Sequence, residues 1–557
     1  MQRISHQATD RDKAPWKRVA LFALIVIWLG SGIVGRDPWK PDEPIYVGIL
    51  HSMLTSGGDA WWAPQVGGVL LPAETPFIHW LNALAVWLPS ALLPLHEAAR
   101  VSSAIWVAIA IVALALSAKR WSAGHISYLA AIVFIGCLGL YDRAHSYLPE
   151  IATLAALSLA IHGMSSLPVA SNRAAFTIAV AILIAFMSTG LLGLGLIGIP
   201  VVALCFAPVL SIYRVPLARA IFFGVLACGL LSAGFALRVP ETALEWWQSG
   251  AGLTLPAERE RFSPHNYIVN ALWFAWPAWP LAVWTLMLRF RGFAGGWQRA
   301  EVIVPLVFMV NTWVWLSIAS EHRTLHTLFF LPPLALLAAF GVDTIRRTWY
   351  AMIDWFGILV LGMIAILAVV ISSALYLKWP GAIAAWSQKF VPDFAGSPPW
   401  LGYTVAAIAF VVWIALVQPA HQHSRRALIN WAGCVTFVWV VGQALLIEPA
   451  NFRSSHRTVF ERVSQLWPER GCVNSIDIPA SHIAMLDYMV KRRVEPVEEL
   501  ADASCDYLLI ARNRGEAVVD TPGYEVMFSG NRAGDRGEKI ELLRRTRSGQ
   551  SSGEKQS

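Results

Sequence analysis

The sequence contains very little charge for its length. Only 14% of the 557 residues are Asp, Glu, Lys or Arg, whereas 56% are hydrophobic. Soluble domains average about 25% charged residues, so this chain lacks the polar surface that would keep a globule of its size in water. The mean hydropathy of +0.53 agrees with this. The chain also contains 27 Trp, a residue that is enriched at membrane–water interfaces. The sequence therefore predicts an integral membrane protein.

The excess of positive charge is divided among short clusters. The net charge is +7, but Arg and Lys lie between apolar runs rather than in one patch, which argues against nucleic-acid binding. If the run Phe77–Leu93 is a juxtamembrane helix on the outer surface, every basic cluster between spans, from Lys119-Arg120 to Arg425-Arg426, lies in the cytoplasm. This arrangement predicts about 13 transmembrane helices, with the N-terminus inside and the C-terminus outside.

The composition becomes polar after the last apolar run. Residues 1–447 are predicted to form the transmembrane domain, 448–545 a small periplasmic α/β domain, and 546–557 a disordered tail. The pattern predicts one helix in the second domain, Ser481–Lys491. It also predicts four strands there: Cys472–Ile478, Asp506–Ala511, Tyr524–Ser529 and Lys539–Arg544. Because this domain is placed in an oxidising compartment, we expect a disulfide between Cys472 and Cys505. The alternative is two free buried thiols.

Two adjacent carboxylates, Asp42 and Glu43, follow the first apolar run in the segment Trp-Lys-Pro-Asp-Glu-Pro-Ile-Tyr, residues 39–46. Partial burial at a membrane face raises the pKa of a carboxyl group. Such a carboxylate can take a proton from a hydroxyl group as that hydroxyl attacks a sugar. The alternative is structural, with Asp42 capping a helix that runs to Leu54.

Two further acids lie on the same predicted face. Glu150 follows Pro149 at the start of an apolar run, and Glu74 lies in the loop 71–76. Acidic residues at a membrane boundary are costly enough to indicate function. A negative charge is also favoured at a helix N-terminus, so both interpretations stay open for Glu150. For Glu74 the alternative is an ordinary loop residue.

A compact polar turn, residues 320–326, separates two apolar runs and carries His322, Arg323 and His326. Arg323 and His326 are placed to meet a phosphate group, and Arg is the better bidentate partner. Arg261, in the outward loop 239–267, is a weaker candidate of the same kind. The alternative is that these residues only terminate helices.

The segment 39–46, followed by Met-Leu-Thr-Ser-Gly at 53–57, resembles the first-loop motif of the aminoarabinose transferases that modify lipid A. Those enzymes belong to the GT-C superfamily, which includes protein O-mannosyltransferases. Residues 72–80 resemble the family's juxtamembrane segment, Glu150 falls on its second acid, and Arg323–Thr327 resembles its Lys-Leu-Pro-x-Tyr turn. The resemblance implies an all-α polytopic membrane fold, with periplasmic juxtamembrane helices and a small C-terminal α/β periplasmic domain.

The resemblance also implies an inverting glycosyltransferase. It would move a sugar from a polyprenyl phosphate to a lipid A-like lipid, a glycan or a protein at the periplasmic face of the bacterial inner membrane. The implied catalytic residues are Asp42 as the base, Glu43 and Glu150. The implied phosphate ligands are Arg323, His322, His326 and Arg261. The remaining polar residues of the implied cavity are Glu74 and Tyr46. No cofactor and no metal site are expected, with a divalent ion on Asp42 and Glu150 as the alternative.

The sequence departs from the family at two lysines, which fall on Glu74 and Thr189. Arg323, His322 or His326 would then replace them as phosphate ligands. Two other functions stay open, a transporter or flippase and a catalytically inactive GT-C-like accessory protein. Transporters place ionisable residues near the midplane on interrupted helices. The apolar runs here are nearly free of charge, which favours the transferase over the transporter.

Overall fold

The protein is mainly helical. The computed structural model describes residues 15–122, 124, 126–253, 264–319, 322–417, 423–469, 471–513, 521–535 and 537–546, so the predicted phosphate ligand Arg261 lies outside the described residues. Its α-helices are Pro15–Gly30, Glu43–Ser56, Phe77–Val86, Leu95–Trp121, Ser127–Ile135, Leu140–Arg143, Glu150–Ser166, Ser171–Cys205, Arg214–Arg238, Pro240–Gln248, Pro264–Phe274, Ala278–Phe290, Ala300–Ala319, Leu331–Gly341, Arg347–Phe356, Gly362–Tyr376, Gly381–Ser387, Trp400–Leu416, Ser424–Ser454, Arg457–Gln465 and Ala480–Val490.

Seven helices of the described residues are long and apolar enough to cross a membrane, or eight if one helix pair bent by 107° is a single span. The predicted all-α membrane fold is confirmed. The count of about 13 spans stays a prediction, because several apolar runs form shorter helices. Ser127–Ile135 has 9 residues and Glu150–Ser166 has 17, and an unaided span needs about 20.

The helix Ser171–Cys205 is broken at Thr189 and Gly190. Gly190 has φ 59° and ψ −137°, a conformation that glycine adopts without steric cost. A Cβ atom there would lie 2.2 Å from the carbonyl oxygen of Ala251. The break therefore lets a neighbouring loop approach the helix, and the N–H of Leu191 donates to that carbonyl at 2.9 Å.

The C-terminal region forms a five-stranded sheet in the order β4-β3-β5-β7-β6. These strands are β3 (Val473–Ile476), β4 (Glu495–Pro496), β5 (Tyr507–Asn513), β6 (Tyr524–Gly530) and β7 (Glu538–Arg545), and β1 (Gln65–Val66) pairs separately with β2 (Val69–Leu70). Strand β3 is parallel to β4 and β5, whereas β7 is antiparallel to β5 and β6. The predicted α/β character is confirmed, and Cys472 and Cys505 form the expected disulfide.

The C-terminal region packs directly on the segment that carries the two adjacent acids. The helix Glu43–Ser56 lies against the helix Ala480–Val490. At Gly48 the approach is so close that an added Cβ would lie 2.5 Å from the Cβ of Ala484. Lys40, just before the acids, forms an ion pair with Glu538 of β7. The sheet therefore helps to position the first polar loop.

Candidate active site

Asp42 occupies the N-cap position of the helix Glu43–Ser56, but its side chain makes no capping hydrogen bond. Instead, Asp42 Oδ1 accepts a hydrogen bond from Arg323 Nη2 at 2.7 Å. The Asp42 side chain is 20% exposed and that of Arg323 33%, so the pair is accessible from outside the protein. The contact joins two loops that are far apart in the chain. A capping role does not account for the orientation of Asp42.

Glu150 lies on the other side of the same guanidinium group. It is the first residue of the helix Glu150–Ser166, and its Oε1 is 3.6 Å from Arg323 Nη1. Its side chain is only 3% exposed, and its Oε2 has no hydrogen-bond partner among the described residues. Buried polar atoms are rarely left unpaired, so this oxygen is available to a ligand.

Glu74 and Tyr46 complete the surroundings of Arg323. Burial raises the pKa of Glu74 to about 7, the charge of Glu150 adds to the increase, and Arg323 opposes it. Burial also raises the pKa of Tyr46, again with contributions from Glu150 and Glu74. We call Asp42, Glu74, Glu150 and Arg323 the Arg323 cluster.

The cluster holds more negative than positive charge. Burial alone would lower the pKa of Arg323, but Glu150, Asp42 and Glu74 raise it above its usual value. The guanidinium group therefore stays charged. It lies between Asp42 and Glu150, the two acids that the sequence analysis names as the alternative ligands of a divalent ion. The expectation of no metal site, and its alternative of a divalent ion on Asp42 and Glu150, both stay predictions.

The two predicted histidine ligands lie beside the cluster in different surroundings. His322 Nε2 is 3.0 Å from Asn270 Nδ2, and its ring lies 4.9 Å from that of Tyr267. His326 is buried in the 3-10 helix Thr324–Phe330, with its ring stacked on Phe329. Of the predicted cations that the structure describes, Arg323 is the one paired with the acids.

Glu43 turns away from the cluster into a buried ion-pair network. Its Oε1 accepts hydrogen bonds from Arg100 Nε at 2.7 Å and from the Tyr147 N–H at 3.0 Å. Arg36 Nη2 lies 3.4 Å from its Oε2. Burial would raise the pKa of Glu43, but Arg100 and Arg36 hold it at about 2. The predicted catalytic role of Glu43 therefore does not fit this geometry, because both carboxylate oxygens already face cations.

Hydroxyl groups, not lysines, line the wall next to Glu150. Thr153 Oγ1 donates to Ser188 Oγ at 2.9 Å and lies 3.1 Å from Thr189 Oγ1. Thr75, beside Glu74, donates to the carbonyl of Met187 at 2.9 Å. The two positions that depart from the resembled family, Glu74 and Thr189, thus lie on segments that are bonded to each other.

The fold is shared with solved membrane proteins over almost the whole chain. ArnT from Cupriavidus metallidurans bound to undecaprenyl phosphate matches with a TM-score of 0.68 at 16% identity, covering 95% of this chain and 98% of ArnT. Its apo structure matches with the same TM-score at 14% identity, covering 95% and 97%.

A third structure is more distant. The oligosaccharyltransferase AglB from Archaeoglobus fulgidus, in complex with an inhibitory peptide and a dolichol-phosphate, matches with a TM-score of 0.47 at 11% identity, covering 89% of this chain and 70% of AglB. No protein-family model and no curated protein matches the sequence. The two ArnT structures show that the chain shares the membrane fold of ArnT, as the sequence resemblance predicts.

Proposed function

We propose that this chain is an inverting GT-C glycosyltransferase that transfers a sugar from a polyprenyl-phosphate donor. The observation that carries the proposal is the orientation of Asp42, which pairs with Arg323 and leaves its helix uncapped. The fold adds support, since ArnT was solved bound to undecaprenyl phosphate. An accessible carboxylate beside a cation provides the two groups that such a transfer requires.

Asp42 and Arg323 have complementary roles in the proposed reaction. Asp42 accepts the proton of an acceptor hydroxyl group as its oxygen forms a bond to the anomeric carbon of the sugar. The bond from that carbon to the phosphate oxygen breaks, and the polyprenyl phosphate leaves with the electron pair. Arg323 binds the phosphate through N–H groups of its planar fork. Because this is a single displacement, the configuration at the anomeric carbon inverts.

The periplasmic face of the bacterial inner membrane is the proposed location. The positive-inside pattern of the sequence supports this placement. The disulfide between Cys472 and Cys505 gives separate support, because disulfides persist mainly in oxidising compartments. Since the helix Ala480–Val490 of the C-terminal region packs on the helix Glu43–Ser56, Asp42 would share the compartment of that region. The proposed acceptor is a lipid A-like lipid, a glycan or a protein.

A second candidate is a GT-C-like accessory protein that binds the lipid phosphate without transferring its sugar. The observation behind it is the placement of Glu74 and Thr189 where the resembled family has lysines. Arg323 is then the single cation paired with Asp42 and Glu150 in the described part of the chain. In that case Asp42 would have no chemical step to perform, so its substitution separates the two functions.

The test compares membrane extracts of a wild-type strain and a strain lacking this protein, by mass spectrometry of polyprenyl lipids and of candidate acceptors. We expect a polyprenyl-phosphate sugar to accumulate and one acceptor to lose that sugar. Wild-type protein restores both, whereas Asp42→Asn restores neither. If no polyprenyl-phosphate species changes, the transferase proposal is wrong. If Asp42→Asn restores both fully, the accessory function is the better one.

A further inference from the structure

A second polar cluster lies between the membrane helices and the C-terminal sheet. His456 stands between the helices Ser424–Ser454 and Arg457–Gln465, His482 lies on the helix Ala480–Val490, and Glu538 begins strand β7. Each side chain offers one ligand atom, and these three atoms lie within 4.8 Å of one another. His456 is 0% exposed, His482 1% and Glu538 5%. Three elements of the fold therefore bring two imidazoles and one carboxylate to a single buried point.

The histidines of this cluster are not satisfied by the surrounding protein. Within the described residues, neither ring nitrogen of His456 has a hydrogen-bond partner, and Nδ1 of His482 has none either. His482 Nε2 lies 3.1 Å from Glu538 Oε1. Burying a polar group without a partner is costly, and native proteins seldom leave one. The orientation of His456 towards the other two residues thus calls for a ligand.

We propose that His456, His482 and Glu538 form a zinc-binding site. Two imidazole nitrogens and one carboxylate oxygen are ligands that Zn²⁺ prefers, with a fourth position left for water. Hard ions such as Mg²⁺ and Ca²⁺ prefer sets made of oxygen atoms, so the nitrogen donors favour zinc. This site is separate from the Arg323 cluster and does not depend on the proposed glycosyl transfer.

Two neighbouring cations already contact the carboxylate that would bind zinc. Lys40 forms an ion pair with Glu538 Oε1, and Arg532 Nε lies 3.3 Å from Glu538 Oε2. Arg532 also pairs with Asp535 at 2.7 Å, which offsets its charge. Lys40 is 24% exposed, so its flexible ammonium group can withdraw to solvent when zinc binds Oε1. Zinc and Lys40 are therefore competitors for one carboxylate oxygen.

Zinc at this point would connect the two halves of the molecule. It would join the end of the last long membrane helix, the helix that packs on Glu43–Ser56, and the edge of β7 through coordinate bonds. Structural zinc sites contribute directly to folding free energy. We therefore expect added Zn²⁺ to raise the Tm of the full-length protein.

The experiment measures zinc content in full-length protein purified in detergent with a tag that contains no histidine. The protein is incubated with Zn²⁺ alone and passed through gel filtration. Its zinc content is then measured by inductively coupled plasma mass spectrometry. We expect one zinc ion per wild-type chain, and its loss in His456→Gln and in Glu538→Gln. The matched control is His51→Gln, because His51 also lies at this interface, with its ring 5.3 Å from that of Tyr488. It should retain zinc as the wild type does.

Lys40→Met provides a test that does not depend on the stability of the ligand variants. Removing the competing cation should strengthen zinc binding by about tenfold, as expected for the loss of one nearby positive charge in a partly buried site. Retention of zinc by the wild type together with tighter binding by Lys40→Met supports the site. If the wild type retains no zinc, or if folded His456→Gln retains as much as the wild type, the cluster is an ion-pair network only and the proposal is wrong.

Discussion

Asp42 and Glu43 are neighbours in the chain, yet they belong to two different electrostatic environments. Glu43 faces the buried Arg36 and Arg100, and a backbone N–H completes its hydrogen bonding. Asp42 faces Arg323, which it shares with the partly unsatisfied Glu150. The first environment, the Glu43 network, has two cations and two acids, since Arg36 also lies 3.3 Å from Asp142. The second, the Arg323 cluster, has one cation among three acids.

We interpret the Glu43 network as structural and the Arg323 cluster as the proposed site. In the Glu43 network the charges are compensated and excluded from solvent, so the group can only stabilise the fold. In the Arg323 cluster the excess of acid keeps a proton on or near the site, since burial and Glu150 raise the pKa of Glu74 to about 7. Perturbed pKa values of this kind are often found at functional sites.

The largest expected effect comes from breaking the Glu43 network. Glu43→Gln leaves Arg36 and Arg100 buried without their carboxylate, which typically destabilises a protein by about 3–5 kcal/mol. Thermal unfolding of the purified protein should show a much lower Tm. Glu241→Gln, at an exposed position, is the control and should be within about 0.5 kcal/mol of the wild type. A wild-type Tm for Glu43→Gln would remove the distinction between the two environments.

Glu74 should make the stability depend on pH in a defined direction. Its raised pKa means that the folded protein retains a proton that the unfolded chain releases near its ordinary pKa of 4.5. Stability therefore falls as the pH rises from about 4.5 to about 7. Glu74→Gln should remove this loss and be more stable than the wild type by up to about 3 kcal/mol above pH 7.

The measurement for Glu74 is the Tm difference between the two proteins at a series of pH values. The difference should grow between pH 5 and pH 7, within the interval from 4.5 to about 7 given by the pKa shift, and then level off. A constant difference across this range would show that Glu74 titrates normally and lies outside the cluster.

The smallest of these effects concerns the proposed binding of phosphate by Arg323. Arg323→Lys keeps the charge but loses the planar fork that binds phosphate through two N–H groups. Binding of undecaprenyl phosphate, measured in detergent by its effect on Tm, should weaken by about tenfold, or about 1.4 kcal/mol. Arg238→Lys changes an exposed ion pair with Asp59 and should bind as the wild type does. Equal binding by both variants would place the phosphate elsewhere.

From the sequence, it was easier to predict which polar loops lie on the same face than to predict the role of each residue. The positive-inside pattern sent the loops of Asp42, Glu74, Glu150 and Arg323 to one face, and the structure brings them together. The four predicted strands of the C-terminal region correspond to β3, β5, β6 and β7, whereas the two-residue strand β4 was not predicted.

The role of Glu43 could not be predicted, since Arg36 and Arg100 reach it only after the membrane helices pack. A signal was present, because Arg100 lies beside a long apolar run and a buried cation needs an acid. The cluster of His456, His482 and Glu538 was missed for a similar reason. Its members are far apart in the chain and lack the short spacing that marks a metal site in sequence.

The most direct test of the account is the turnover of purified Asp42→Asn. Its lipid-linked donor is taken from the strain lacking the protein, and the release of free polyprenyl phosphate is measured beside the Tm. The amide oxygen of Asn can still accept the hydrogen bond from Arg323, but the amide cannot take up a proton. We therefore predict a nearly unchanged Tm and a rate lower by about 10²- to 10⁴-fold. A folded Asp42→Asn protein with a rate near that of the wild type would contradict the account and leave Glu150 as the next candidate for the base.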